Sequence, residues 1–314
     1  FSSRRRSTMP QTISFTKMHG LGNDFVMLSS QTVQSLGLCP DRNKAELEKL
    51  AIFLCDRHFG IGADGLIFPA PASKPGYDIR FVYLNGDGSW AEMCGNGIRC
   101  FARFVKDSGL VQDDVFTVET LAGPIRPQIN PDQTVTVDMG APILEAAKVP
   151  VDPAAFGITS DKQVQNLPVT VLDQKIPVTA VSMGNPHCLV FQDDLPQPVD
   201  PAVFGPALEK HPAFPAKTNV EFIQAVSRNH LKVTVWERGC GFTLACGTGA
   251  CATAVGAIQL GKAEHNVNIE LPGGVLNIQW DGNPCSSVLM SGPATYAFTG
   301  NIELPADIFA LIPA

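Results

Sequence analysis

The sequence predicts a mixed α/β (α+β) chain folded as two similar, duplicated domains. Three observations predict it. Short strand-like segments separated by turn signals recur along the whole chain. Helical apolar stripes are few and well separated. Two short motifs occur twice, in the same order, once in each half.

The strand segments come first. Alternating or β-branched runs lie at residues 13–16, 78–83, 115–119, 134–138, 178–182, 232–236, 275–280 and 287–290. Turns such as Asn85-Gly-Asp-Gly88, Pro272-Gly-Gly274 and Asp281-Gly-Asn-Pro284 punctuate them. Four helices follow. Residues 43–58 carry a stripe of Leu47, Leu50, Ala51 and Leu54 that ends before Gly60. Residues 97–108 set Ile98, Phe101, Ala102 and Val105 on one face, with Gly109 as the stop. Residues 248–260 are small and apolar nearly all round, which predicts a helix buried on every side. Asp200-Pro201 opens a shorter helix with an N-cap and a proline at its first position.

With 314 residues, 45% of them hydrophobic, the chain has material for more than one core. The formal charge of -7 gives no basic surface for a nucleic-acid partner. No apolar run reaches the roughly 18 residues of a membrane span. The start, Phe1-Ser-Ser-Arg-Arg-Arg-Ser-Thr8, is basic and free of acids. It reads as the remnant of an organelle transit peptide or as a plain basic tail, and residues 1–12 are set apart from the fold. Nine cysteines at irregular spacing, without C-x-x-C, suggest free thiols and no metal site.

The repeated motifs carry the chemistry. Gly22-Asn23 precedes Cys94-Gly-Asn-Gly97 by 71 residues, Asn to Cys, by subtraction. Gly184-Asn185 precedes Cys246-Gly-Thr-Gly249 by 61. Each Cys-Gly-x-Gly opens a helix, and the boundary between the halves is expected around residues 140–153. A helix start offers unpaired N–H groups and the positive end of the dipole. A thiolate there is stabilised, so both thiols are expected to be more acidic than usual. The glycines leave amides open to a carboxylate. Two such loops facing each other could remove a proton from one face of a carbon and return one to the other. One thiol would act as base and the other as acid. That is inversion next to a carboxylate, needing no cofactor, on a small-molecule amino acid.

Other residues divide between chemistry and structure. Cys39, Cys55, Cys188 and Cys285 lack a motif and read as small buried hydrophobes, and Cys100 and Cys251 as helix packing. Cys240, Cys246 and Cys251 have no ordinary metal spacing. Asn23, Asn85, Asn96, Asn185 and Asn219 could bind carboxylate or ammonium groups, or serve simply as turn residues. Glu237-Arg238 lies nine residues before Cys246, as Asn85 does before Cys94. Arg238 could clamp a carboxylate, and His187 could tune a thiol.

Taken together, five stretches closely resemble the diaminopimelate epimerase family. They are Met18-His-Gly-Leu-Gly-Asn-Asp-Phe25, Cys94-Gly-Asn-Gly-Ile-Arg-Cys-Phe-Ala-Arg-Phe104, Ser182-Met-Gly-Asn-Pro-His187, Glu237-Arg-Gly239 and Ala245-Cys-Gly-Thr-Gly-Ala250. The resemblance implies two domains, residues 13–138 plus 292–314 and residues 139–291. Each would be a curved, mostly antiparallel sheet or barrel around a central helix, with the site in the cleft between them. It implies conversion of LL- to meso-2,6-diaminopimelate in lysine biosynthesis, without cofactor, by a homodimer. Cys94 and Cys246 would be the catalytic pair. Asn23, Asn85, Gly95, Asn96, Asn185, Asn219, Glu237, Arg238, Gly247 and Thr248 would contact substrate, and His187 and Glu237 would tune the thiols. A lysine-pathway member with this start is expected in a plastid (chloroplast stroma), with the cytoplasm as the other option. The sequence departs from the family at Gly62-Ala-Asp-Gly65, where a glutamine contact is common, and at Cys240 and Phe242.

Two rival readings follow the same cysteines. An epimerase of the proline racemase type would turn over proline and not diaminopimelate. A thiol redox or metal protein would bind metal stoichiometrically or use a Cys94–Cys246 disulfide.

Overall fold

The computed structural model describes residues 11–309. They form two compact units, one of the residues up to Val135 together with those from Pro293, the other Thr136–Gly292. The basic start lies outside the described residues, except that Gln11 and Thr12 already belong to the first strand. The change of unit falls between Val135 and Thr136, within the strand Val135–Asp138 and upstream of residues 140–153.

In chain order the first unit holds β1 (Gln11–Gly20), β2 (Asn23–Met27), α1 (Ser30–Ser35), α2 (Lys44–Cys55), β3 (Gly65–Ala70), β4 (Ile79–Asn85), α3 (Gly95–Asp107), β5 (Val118–Thr120), β6 (Gly123–Ile125) and β7 (Gln128–Ile129). β8 (Val135–Asp138) leads into the second unit. There follow β9 (Leu167–Val171), β10 (Gln174–Ser182), β11 (Pro186–Phe191), α4 (Pro201–Glu209), β12 (Asn219–Ser227), β13 (His230–Glu237) and β14 (Gly241–Phe242). The unit ends with α5 (Gly247–Gln259), β15 (Asn266–Leu271), β16 (Gly274–Gln279) and β17 (Leu289–Gly292), and β18 (Thr295–Leu304) belongs to the first unit again.

The duplication is written in the strand pairing. The first sheet runs β18-β1-β2-β3-β4-β5-β6, and the second contains β16-β15-β13-β12-β11-β10-β9. From β1 to β6 the pairs alternate antiparallel, parallel, antiparallel, parallel, antiparallel. From β10 to β16 they alternate in the same order. Parallel neighbours need a long crossover. The crossovers correspond: α2 and α4 bridge the first parallel pair of each unit, α3 and α5 the second.

Local sequence explains the helices. Asp200 caps α4 through its side chain to the Ala202 N–H, and Pro201 opens the helix, as expected. α5 is buried from Gly249 to Ala257, matching its uniformly small apolar surface. α3 packs on β1, β2 and β3, and α5 on β10, β11, β12, β15 and β16. A second core layer lies under α2, where Leu47, Leu50, Ala51 and Leu54 join Leu66, Phe68 and Val82. Each such large side chain contributes about 1.5–3 kcal/mol when fully buried.

Some expectations needed adjustment. The strand expected at 115–119 shrinks to β5, with Val115 making only an isolated bridge. The one expected at 287–290 begins later, at Leu289, because the Asp281 carboxylate binds the Asn283 N–H and the Ser286 hydroxyl and holds a turn before it. α1, capped by the Ser29 side chain, had no long stripe to announce it.

Candidate active site

Cys94 is the N-cap of α3, in extended conformation, and its carbonyl accepts the Ile98 N–H at 2.8 Å. Its thiol lies 3.5 Å from Asn23 Oδ1, which also accepts from Asn96 Nδ2 at 3.2 Å. The first unit thus gathers Asn23, Cys94 and Asn96 from a strand start and a helix start. Asn96 is held in turn by buried Arg99, whose Nη2 donates to Asn96 Oδ1 at 2.8 Å and whose Nη1 donates to the Gly95 carbonyl at 3.1 Å. Asn23 Nδ2 donates to Asp64 Oδ2 at 2.6 Å, and Arg57 grips Asp64 at 2.9 Å. Asn85 takes part in a turn: its amide donates to the Ser89 hydroxyl at 2.9 Å and its N–H to the Ser89 carbonyl at 2.8 Å.

Beside Asn23, Asp24 joins Lys17 at 2.6 Å and Arg57 at 2.9 Å. Burial alone would raise its pKa. Hydrogen bonds and charge from Arg57 and Lys17 outweigh that and hold it below the usual carboxylate range. Asp24→Asn is therefore expected to cost about 2 kcal/mol at neutral pH, since it leaves the buried Lys17 ammonium without its counter-charge. The depressed folded value makes the stabilisation full above the unfolded value, about 3.9, and lost as pH falls through the folded one. Urea unfolding of both proteins checks this: the gap between them should close on acidification.

The second unit repeats the helix start and changes its surroundings. Cys246 is the N-cap of α5, and its sulfur accepts the Gly249 N–H at 3.4 Å and lies 3.5 Å from the Thr248 hydroxyl. Gly247 is the first residue of the helix. Asn219 is buried, bonding the Pro186 carbonyl through Nδ2 at 3.1 Å and accepting the Arg238 N–H at 2.8 Å. It ties the Glu237-Arg238 turn to β11. The Arg238 guanidinium is exposed and donates to the Ala216 carbonyl at 3.0 Å. Glu237 accepts from the Thr243 hydroxyl. Asn185 Oδ1 lies 3.0 Å from His187 Nε2, and His187 Nδ1 lies 2.7 Å from Glu221 Oε1.

Electrostatics reverse one expectation. The helix start was expected to make Cys246 more acidic. Burial instead pushes its thiol well up, and the carboxylates of Glu237 and Glu221 add to the rise. The Thr248 hydroxyl and the Gly249 amide pull down but do not win. Desolvation of a charged sulfur outweighs a helix end whose effect fades within a turn. Burial likewise raises Glu237, with Glu221 adding to it.

Three supporting residues carried no sequence motif. Glu221 lies mid-strand in an apolar run, Asp64 meets Asn23 only through the fold, and Arg57 in turn holds Asp64. A signal for Glu221 did exist: aligning the two halves sets it against Ile67. The missing glutamine also has a steric reason. A Cβ on Gly65 would lie 2.5 Å from the Tyr83 ring and 2.7 Å from the Leu84 carbonyl. Of the other cysteines, Cys55, Cys100, Cys188 and Cys251 are buried as expected. Cys285 is exposed and Cys39 only half-buried, because both lie in turns rather than on a packed face.

Comparison with known proteins follows the same residues. The diaminopimelate epimerase family pattern matches residues 15–145 and 179–297. Diaminopimelate epimerase 1 of Nostoc sp. is 47% identical over 292 residues, covering 92% of this chain and 99% of that protein. Diaminopimelate epimerase of Synechocystis sp. is 46% identical over 292 residues, covering 93% and 99%. A crystal structure of a hydroxyproline epimerase from Agrobacterium vitis has a TM-score of 0.62 at 14% identity, covering 94% of this chain and 93% of that one. It shares the fold. Motifs, helix-start thiols and near-full-length similarity agree, and the chain belongs to the diaminopimelate epimerase family.

Proposed function

We propose that the protein interconverts LL- and meso-2,6-diaminopimelate in lysine biosynthesis, with Cys94 and Cys246 as the two proton-transfer groups and no cofactor. The observation that carries this reading is the placement of both cysteines as N-caps of equivalent helices in a duplicated fold. Each thiol stands at a helix start, whose first-turn amides and dipole suit a carboxylate. Asn23 and Asn96 in the first unit, and Asn219 with Arg238 in the second, supply the polar contacts an amino-carboxylate needs. The carbanion that forms when the α-proton leaves is stabilised by fixed dipoles rather than a conjugated cofactor.

The test is turnover of LL-diaminopimelate in deuterated water without added cofactor. Deuterium is expected at the inverted carbon of the meso product. Inversion without label would refute proton exchange with the thiols. Turnover of proline in place of diaminopimelate would favour the racemase reading.

A homodimer and a plastid location complete the proposal. The family resemblance supports the first, and the Arg/Ser-rich, acid-free start supports the second. Sedimentation of the purified protein and fractionation of cells test them.

A further inference from the structure

The shared strand pattern allows a residue-by-residue comparison of the two units. Phe25 pairs with Gly65 across β2 and β3, and His187 with Asn219 across β11 and β12. Phe25 and His187 are therefore equivalent, and two residues beyond Gly65 and Asn219, so are Ile67 and Glu221. Their neighbours correspond as well. A Cβ on Gly97, three residues after Cys94, would lie 3.1 Å from Ile67 Cδ1 and 3.5 Å from the Phe25 ring. A Cβ on Gly249, three residues after Cys246, would lie 2.7 Å from Glu221 Oε1. All four side chains are fully buried.

Beneath one thiol loop the protein packs Phe and Ile, and beneath the other it buries a His–Glu pair. The fold does not demand the polar pair, since the apolar one fills the same place in the sister unit. Burying ionisable groups is unfavourable unless every polar atom is satisfied. Here Glu221 Oε2 has no hydrogen-bond partner among the described residues. A buried pair that the architecture can do without, with an unsatisfied oxygen, set against the first turn of the helix that Cys246 caps, points to a role in the reaction.

We propose that Glu221 is a positioning residue for the second thiol. Through His187 it holds the imidazole against Asn185, and its charge beneath the first turn of α5 keeps Cys246 as the neutral, proton-donating member of the pair.

The helix start favours one anion, and Glu221 supplies it. A thiolate at Cys246 would be a second anion at the same place and is disfavoured. The groups acting on Cys246 are Glu237 at the end of β13, Glu221 on β12, and Thr248 and the Gly249 amide on α5, with His187 on β11 bound to Glu221. Burial and both carboxylates act in the same direction on its thiol. At the equivalent floor under Cys94 stand Phe25 and Ile67. The duplicated site is thereby made unequal, giving one acid and one base at rest. This inference rests on the two-thiol reading of the activity.

The test is site-resolved alkylation with iodoacetamide across pH, read by mass spectrometry on the full chain. Two variants are compared with the wild type: Glu221→Gln, and the double variant His187→Phe with Glu221→Ile, which installs the first unit's pair. The pH midpoint for Cys246 is expected to fall by about one unit or more in both. The midpoint for Cys94 stays in place. Turnover is expected to fall about tenfold or more, chiefly in kcat. An unmoved Cys246 midpoint overturns the proposal, whatever happens to melting. Should Glu221→Gln fail to fold, the double variant decides, since its packing has a working precedent in the sister unit. In the wild type, nitrogen NMR of His187 must place a ring proton on Nδ1, the nitrogen that faces Glu221, and a bare Nδ1 overturns the proposal. Alkylation is read without turnover, so its failure is separate from failure of the two-thiol reading.

Discussion

Cys246→Ala and Cys94→Ala are each expected to lower diaminopimelate epimerisation at least about a thousandfold while leaving the fold intact. Inversion needs a proton removed from one face and another delivered to the opposite face, so neither thiol can replace the other. The fold should survive because the sulfur contacts described above are long ones. That of Cys246 accepts one amide at 3.4 Å, and that of Cys94 lies 3.5 Å from Asn23 Oδ1. The N-cap role rests mainly on the backbone, since both cysteine carbonyls already accept the first helical N–H groups. Turnover and circular dichroism on the same preparations check the expectation. Wild-type activity in either variant would rule out the paired-thiol mechanism.

Gly60→Ala is expected to destabilise the first unit by about 3 kcal/mol or more, although Gly60 touches no site residue. A Cβ there would lie 2.0 Å from the Phe53 carbonyl, 2.9 Å from that of Leu54 and 3.0 Å from that of Asp56. All three are backbone atoms at the end of α2 and cannot rotate away. The following residues cap that helix, with the Ile61 and Gly62 N–H groups on the Leu54 carbonyl and the Ala63 N–H on that of Cys55. The same loop delivers Asp64 to Asn23. Strain at Gly60 should therefore loosen the Cys94 environment as well as lower the melting temperature, by at least about 6 °C. Thermal unfolding measures the first effect, and the KM for diaminopimelate the second. A melting curve matching the wild type would show that the α2 end can open by an ångström without loss.

Much of the site was legible because it is built from local signals. Cys-Gly-x-Gly is a helix start whatever surrounds it, since glycine and capping preferences act within a few residues. Both cysteines accordingly stand at N-caps where expected. The order of Gly-Asn and Cys-Gly-x-Gly in each half was enough to expect a duplication, and the pairing of β1 to β6 against β10 to β16 shows it strand by strand. Asn85 shows the limit of such reading. A turn asparagine and a ligand asparagine look alike in sequence, and the bond from its amide to Ser89 does not separate the two roles.

The sequence by itself determined the two helix-start thiols, the repeat and the family, because those depend on short-range geometry and on residue identity. Only the tertiary structure decided what lies beneath each thiol. Glu221 meets His187 across 34 residues of chain, and Asp64 meets Asn23 across 41. Both contacts are set by parallel strand register, which no local pattern encodes. The direction of the Cys246 shift was decided there too. The helix end that sequence reveals favours a thiolate. The burial and carboxylates that only packing brings together favour the thiol, and in a dry site the latter are stronger.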